Sequence, residues 1–163
     1  MALDYLKLID SPCIKCGGGD FVTLIENDRY FMGLVTVGCS DCGLIQMNPL
    51  PTDEAFNMFY QKDYRHFYQG IVKPSDEYIK AMKKAERLDY TVDFLTQHAQ
   101  LQKAATVLDF GCSEGALFDA MVKHGFVGQL FGVEPNPDFA AFAAKNNNAK
   151  VYALIDDVVE TMD

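Results

Sequence analysis

The chain has 163 residues, 49% of them apolar and 23% charged, with a formal net charge of −9. That length suits one ordinary domain, or a small module joined to part of a larger one, and the composition is that of a globular protein. No apolar run nears the roughly 20 residues of a membrane span, and the N-terminus "MALDYLKLID" lacks the apolar core of a secretory signal; a cytoplasmic location is expected. The acidic balance argues against nucleic acid, whose phosphates require a basic face. The densest basic cluster, "KAMKKAER" at 80–87, has the spacing of a solvated helix face.

Residues 1–50 hold four of the five cysteines and short β-like runs, "DFVTLI" and "RYFMGLVTV", with "END" between them as a hairpin turn. Cys13 and Cys16 form one C-x2-C pair, Cys39 and Cys42 another, with 22 residues between the pairs. Two intervening residues let one tight turn aim both thiolates at one metal, and a glycine follows each pair (Gly17, Gly43). Two such turns complete a four-sulfur tetrahedral site. Zinc is expected there, with iron the rival that sequence does not separate; a reducing cytosol disfavours disulfides. With all four positions filled by protein, the metal is expected to be structural.

Residues 51–103 read as a helical connector. Thr52 suits an N-cap, with Asp53 and Glu54 in the first turn. A longer helix is expected from Ser75, its apolar face made by Tyr78, Met82, Ala85, Leu88, Val92 and Leu95. The aromatic stretch "FYQKDYRHFYQG" supplies Tyr60, Tyr64, His66 and Tyr68 as weak catalytic candidates, against the plainer expectation that they pack a short helix. His98 and His124 fall near helix C-termini and are assigned no chemistry.

Residues 104–163 alternate strand and helix: "ATVLDF", "GALFDAMVKHG", "QLFGVEP", "PDFAAFAAKNN", "AKVYAL". That is the βαβαβ opening of a parallel doubly wound sheet. No closing strand signal follows, and the last residues, "VYALIDDVVETMD", are strongly acidic. The turn after the first strand, "VLDFGCSEG", lacks both the G-x-G-x-x-G spacing of dinucleotide folds and the G-x4-G-K of a phosphate loop. A ligand without a diphosphate fits this less glycine-rich turn. Glu134 ends the second strand, 19 residues beyond Gly115, where a carboxylate can accept hydrogen bonds from ribose 2′ and 3′ hydroxyls.

At "VLDFGCSEG" and "LFGVEPN" the sequence resembles the class I S-adenosylmethionine-dependent methyltransferases. The cysteine module followed by "GLIQMNPLPTDEAFNMFYQKDY" resembles the subset with a zinc-binding N-terminal segment, as in the sugar C-methyltransferases. The resemblance implies a Rossmann-like domain at 104–163. It implies that Asp109, Gly111, Cys112 and Gly115 line the methionine end of S-adenosylmethionine, that Glu134 holds the ribose, and that Pro135 and Asn136 lie near it. Cys112 stands where the family often has glycine; a nucleophilic role for it lacks a neighbouring base. Asp156 or Asp157 would meet the adenine amino group, or else lie in a solvated acidic loop. A full class I domain has seven strands and this chain offers three, so a missing C-terminal half or a partner chain is expected, with the 163 residues inactive alone. The expected acceptor is a small molecule, such as a nucleotide-linked sugar or a natural-product intermediate. The alternative is a non-catalytic metal-ribbon and nucleotide-fold interaction module.

Overall fold

The computed structural model describes residues 4–71, 73–81 and 84–162. The chain divides into two compact units, Met1–Phe59 and Tyr60–Asp163. Among the described residues no helix is long and apolar enough to cross a membrane.

The first unit is built on an antiparallel meander of β2 (Phe21–Ile25), β3 (Thr36–Cys39) and β4 (Ile45–Met47). A second, two-stranded ribbon pairs β1 (Leu8–Ile9) with β5 (Leu50–Pro51). Register sets Phe21 opposite Cys39, which places one cysteine at the end of β3. The connection from β2 to β3 corrects the expected hairpin. "END" does not close a tight turn, and Arg29–Leu34 is not strand. Instead the Asp28 carboxylate accepts the backbone amides of Tyr30 (2.7 Å), Met32 (2.7 Å) and Leu34 (3.1 Å) and organises a wide loop. Partial burial opposes ionisation of Asp28, but those amides outweigh it and hold the carboxyl below its ordinary range. β5 leads into α1 (Asp53–Met58), where Thr52 Oγ1 accepts the Ala55 amide at 3.2 Å, as a cap should.

The second unit begins within a π-helical turn, Phe59–Asp63, followed by α2 (Tyr64–Gln69). The long helix expected from Ser75 is described as two stretches, α3 (Asp76–Ala81) and α4 (Lys84–His98). Ser75 Oγ caps it by accepting the Tyr78 amide at 3.2 Å. Of the expected apolar face, Met82 lies outside the described residues, while Val92 is buried in the core with Leu88 packed against it.

The α/β portion runs β6 (Thr106–Phe110), α5 (Ala116–Lys123), β7 (Gln129–Val133), α6 (Pro137–Asn147), β8 (Lys150–Tyr152) and α7 (Ile155–Met162). All three strands are parallel, in the order β6-β7-β8. One core gathers Val92, Phe118, Met121, Leu130 and Ala143, from α4, α5, β7 and α6. On the other sheet face Val158 of α7, 1% exposed, packs with Phe131 and Val133. This removes the solvated loop, one of the two alternatives for the acidic end: Asp156 and Asp157 form the first turn of α7, where a helix dipole favours them, and both are exposed. β6 pairs on one side only among the described strands, and its Leu108 and Phe110 stand 40% and 72% exposed.

β7 is the central strand, and its Gly132 is required by packing. A Cβ there would meet Cys112 Sγ at 2.5 Å and Phe118 Cζ at 3.3 Å. Gly132→Ala should lower the stability of the second unit by about 1–3 kcal/mol through overpacking. Adding Cys112→Ala should recover a large part of that loss, because the two sites share one contact. Chemical denaturation of the single and double variants measures this; strict additivity would contradict the packing account.

Candidate functional site

The four cysteines come together in the first unit. Their sulfur atoms all lie within 4.8 Å of one another, with Cys13 Sγ to Cys42 Sγ and Cys16 Sγ to Cys39 Sγ both at 3.6 Å. A tetrahedron of thiolates with metal–sulfur bonds near 2.3 Å has edges of about 3.8 Å, so the cluster has the size of a mononuclear site. The two turns are built alike. Gly17 donates to the Cys13 carbonyl (2.8 Å) and Gly43 to the Cys39 carbonyl (3.0 Å). Cys13 donates in turn to the Gly18 carbonyl (2.8 Å), and Cys39 to the Leu44 carbonyl (2.9 Å). Gln46 of β4, buried, locks the first turn: its Oε1 accepts the Ile14 amide at 3.1 Å and its Nε2 donates to the Pro12 carbonyl at 3.4 Å. A hydrogen bond from the Cys16 backbone brings the Cys13 thiol down to about 6. At Cys16 the Gly18 backbone favours the thiolate, but the other three sulfurs prevail and push it up to about 12. Four sulfurs this close repel as thiolates unless a cation sits among them.

The second candidate site is the turn between β6 and α5. The amides of Gly111 and Cys112 both donate to the Val133 carbonyl, at 2.8 and 3.0 Å, tying the turn to the end of β7. Gly111, Ser113 and Gly115 are all left-handed, with φ of 85°, 56° and 81°. The two glycines serve different ends. A Cβ on Gly115 would strike Asn147 Nδ2 at 2.7 Å and Ala143 Cβ at 3.0 Å, so it lets α5 approach α6. A Cβ on Gly111 would meet nothing within 4 Å. Gly111 therefore faces open space where a ligand can approach the backbone.

Glu134 follows β7 directly and is 4% exposed. Its Oε1 accepts the Asn136 amide at 3.0 Å, and its Oε2 accepts the Ser113 amide at 3.1 Å. The third donor is Arg65 of α2, whose Nη2 reaches Glu134 Oε2 at 3.2 Å and Ser113 Oγ at 2.8 Å. Ser113 Oγ also bonds Glu114 Oε2, and Glu114 is fully buried. Arg65 Nη1 donates to Gln69 Oε1 at 3.2 Å, which also accepts Tyr78 Oη at 2.9 Å. The Arg65 guanidinium lies 4.3 Å from the centre of the buried Phe139 ring. Asn136 joins the same frame: its Oδ1 caps α6 through the Asp138 and Phe139 amides, and its Nδ2 donates to the Gln61 carbonyl at 2.8 Å.

Of the residues singled out in the sequence, the structure gathers Gly111, Glu134 and Asn136 around this turn, with Pro135 between the last two half-buried. Asp109 sits on β6, where burial holds its carboxyl above the ordinary range. The Cys112 side chain points inward, 4% exposed, into the core with Phe118 and Ala143. Tyr60, Tyr64 and Tyr68 stack along one face of the π-turn and α2, with ring centres 5.0 Å apart at each step. His66 is exposed beside Phe67. Sequence reasoning missed Arg65, Ser113 and Glu114. The signal for Arg65 was present: a cation in the midst of an aromatic run, four residues before a glutamine, in an acidic chain.

No protein-family profile matches the chain. The small RNA 2'-O-methyltransferase of Arabidopsis thaliana is 30% identical to it over 91 residues. That stretch is 55% of this chain and 10% of the plant protein, so the chain spans only a small part of that relative's length.

The inward packing of Cys112 has a direct consequence. Burial first, then the Asp109 and Glu134 carboxylates, push its thiol up to about 12, so almost no thiolate exists near neutrality. Iodoacetamide at pH 7.5 should leave Cys112 unmodified in the folded protein and alkylate it at an ordinary thiol rate after denaturation. Labelling at the same rate in both states would contradict the burial.

Proposed function

We propose that the second unit is the Rossmann-like, S-adenosylmethionine-binding part of a methyltransferase, and that the first unit carries a structural zinc ion on Cys13, Cys16, Cys39 and Cys42. The observation that supports the cofactor assignment best is the placing of Glu134: a carboxylate at the tip of the second parallel strand, beside the glycine turn that ends the first. A turn without the dinucleotide spacing favours an adenosyl ligand without a diphosphate. The likeness to a methyltransferase points the same way.

S-adenosylmethionine supplies a methyl group on a positively charged sulfur, open to attack by a nucleophile. Glu134 would accept from the ribose hydroxyls, with Pro135 and Asn136 beside it. The open backbone at Gly111, with Asp109 before it, would border the methionine end. Methyl transfer of this kind depends chiefly on alignment of acceptor and donor. The acceptor we favour is a small molecule, such as a nucleotide-linked sugar or a natural-product intermediate. The net charge of −9 makes an RNA acceptor the weaker alternative, although the plant relative carries that activity in its name. Tyr60, Tyr64, His66 and Tyr68 stay the weak candidates for acceptor contact; of these Tyr60, His66 and Tyr68 are exposed, on α2 and the turn before it.

Calorimetry with S-adenosylhomocysteine tests the cofactor assignment. Binding is expected, and Glu134→Ala should weaken it by about 1.5–3 kcal/mol, the range for hydrogen bonds to a charged group. Binding of NADH with the adenosyl ligand ignored would show the wrong cofactor has been assigned.

For the metal, elemental analysis should find about one zinc per chain. A strong chelator should unfold the first unit and leave the helical signal of the second in place. Iron in place of zinc would show as colour and in the same analysis. A folded protein with no metal and four freely titrating thiols would end the proposal.

A further inference from the structure

If Glu134 is to accept from two ribose hydroxyls it needs two acceptor positions, and of the roughly four on a carboxylate one on Oε1 and two on Oε2 are already in use. The two backbone donors, Ser113 and Asn136, belong to the turn and to the residues following β7. They hold the carboxylate in position and can stay when a ligand arrives. Arg65 is different. It comes from α2, a six-residue helix, and it covers the same oxygen that Ser113 holds.

We propose that Arg65 is a gate on this site: its guanidinium closes the Glu134 carboxylate in the ligand-free protein, and a nucleoside with free 2′ and 3′ hydroxyls binds by taking its place. The inference rests on the nucleoside reading of Glu134 given above.

Three features support an exchange rather than a fixed structural pair. First, α2 lies between two irregular points, the π-helical turn Phe59–Asp63 before it and Gly70, left-handed at φ 66°, after it. Such points absorb backbone change in moving segments. Second, a buried carboxylate must stay paired, because stripping one partner from a buried ion pair leaves an uncompensated charge. Ribose hydroxyls would restore donors to Glu134 at the moment Arg65 leaves. Third, Arg65 is held by neutral contacts on its other side, to Gln69 Oε1 and over the Phe139 ring. These can be loosened without touching either Glu134 or the glycine turn. Gln69 is thus a positioning residue for the gate.

A gate of this kind lowers apparent affinity by the fraction of molecules that are open. If nine in ten are closed, the loss is about tenfold. Removing the gate restores that factor mainly through faster association, since the ligand no longer waits for opening.

The test uses the whole chain with S-adenosylhomocysteine and with adenosine as probes, read by calorimetry and stopped-flow binding. Arg65→Met should tighten both ligands about tenfold or more and raise the association rate by a similar factor. Gln69→Ala, which leaves Arg65 and Glu134 in place, should move both in the same direction by a smaller amount. It serves as the independent variant should Arg65→Met fail to fold, which circular dichroism will show. Binding by the Arg65→Met protein where the natural protein shows none would be the strongest support. If the natural protein binds both probes and the two variants bind equally or more weakly, Arg65 is not a gate, and the nucleoside site stands. If none of the three proteins binds either probe, the nucleoside reading fails and the gate with it.

Discussion

The second unit is organised around a carboxylate that is almost wholly removed from water. An ionised Glu134 at 4% exposure is tolerable only with donors on every side. Those donors come from three places: the turn after β6, the residues following β7, and α2. That one requirement fixes much else. It brings the Ser113 amide inward and so accompanies the left-handed backbone of the turn. It orients Asn136, which then caps α6 and reaches the Gln61 carbonyl. It draws Arg65 into the interior, where the guanidinium also bonds Ser113 and covers Phe139. A charge this well paired adds little to stability compared with apolar packing of equal volume.

The first unit solves a different problem with the same physics. Among the described residues its buried apolar side chains are Cys13, Val37, Cys39, Pro51 and Ala55. Two of those five are cysteines of the sulfur cluster, so the cluster is a large part of the unit's interior. Modules of this size need a staple when they cannot bury a sizeable core. The matched hydrogen bonds at Gly17 and Gly43, and the clamp by Gln46, shape the backbone so that four sulfurs converge. A metal among them would take the part that a hydrophobic core takes in the second unit.

Much of this was legible in the sequence, because the signals were local. The cysteine spacing, the Thr52 cap and the strand–turn–helix run at 106–123 each depend on residues a few positions apart. The differences arise where a particular side chain's contacts, near or far along the chain, override the preference of residue type. "RYFMGLVTV" reads as a strand by residue type, but the Asp28 carboxylate captures three amides and turns its first half into a loop. For Asp156 and Asp157 a solvated loop was one of two readings open, and Val158, packed on Phe131 and Val133, anchors that segment as a helix instead. Cys112, placed by pattern beside the ligand, turns its side chain into the space that Gly132 leaves open. The partners of Arg65 lay beyond the reach of any local pattern: Ser113 and Glu134 are 48 and 69 residues further along the chain. No periodicity links positions so far apart.

The central claim is that Glu134 is a nucleoside-binding carboxylate which Arg65 covers until a ligand arrives. A crystal structure of the protein with S-adenosylhomocysteine tests it most directly. The account predicts ribose hydroxyls within hydrogen-bonding distance of Glu134, the Ser113 and Asn136 amides still in place, and Arg65 displaced from Oε2. A bound nucleoside elsewhere on the molecule, with the Arg65–Glu134 pair intact, would contradict it.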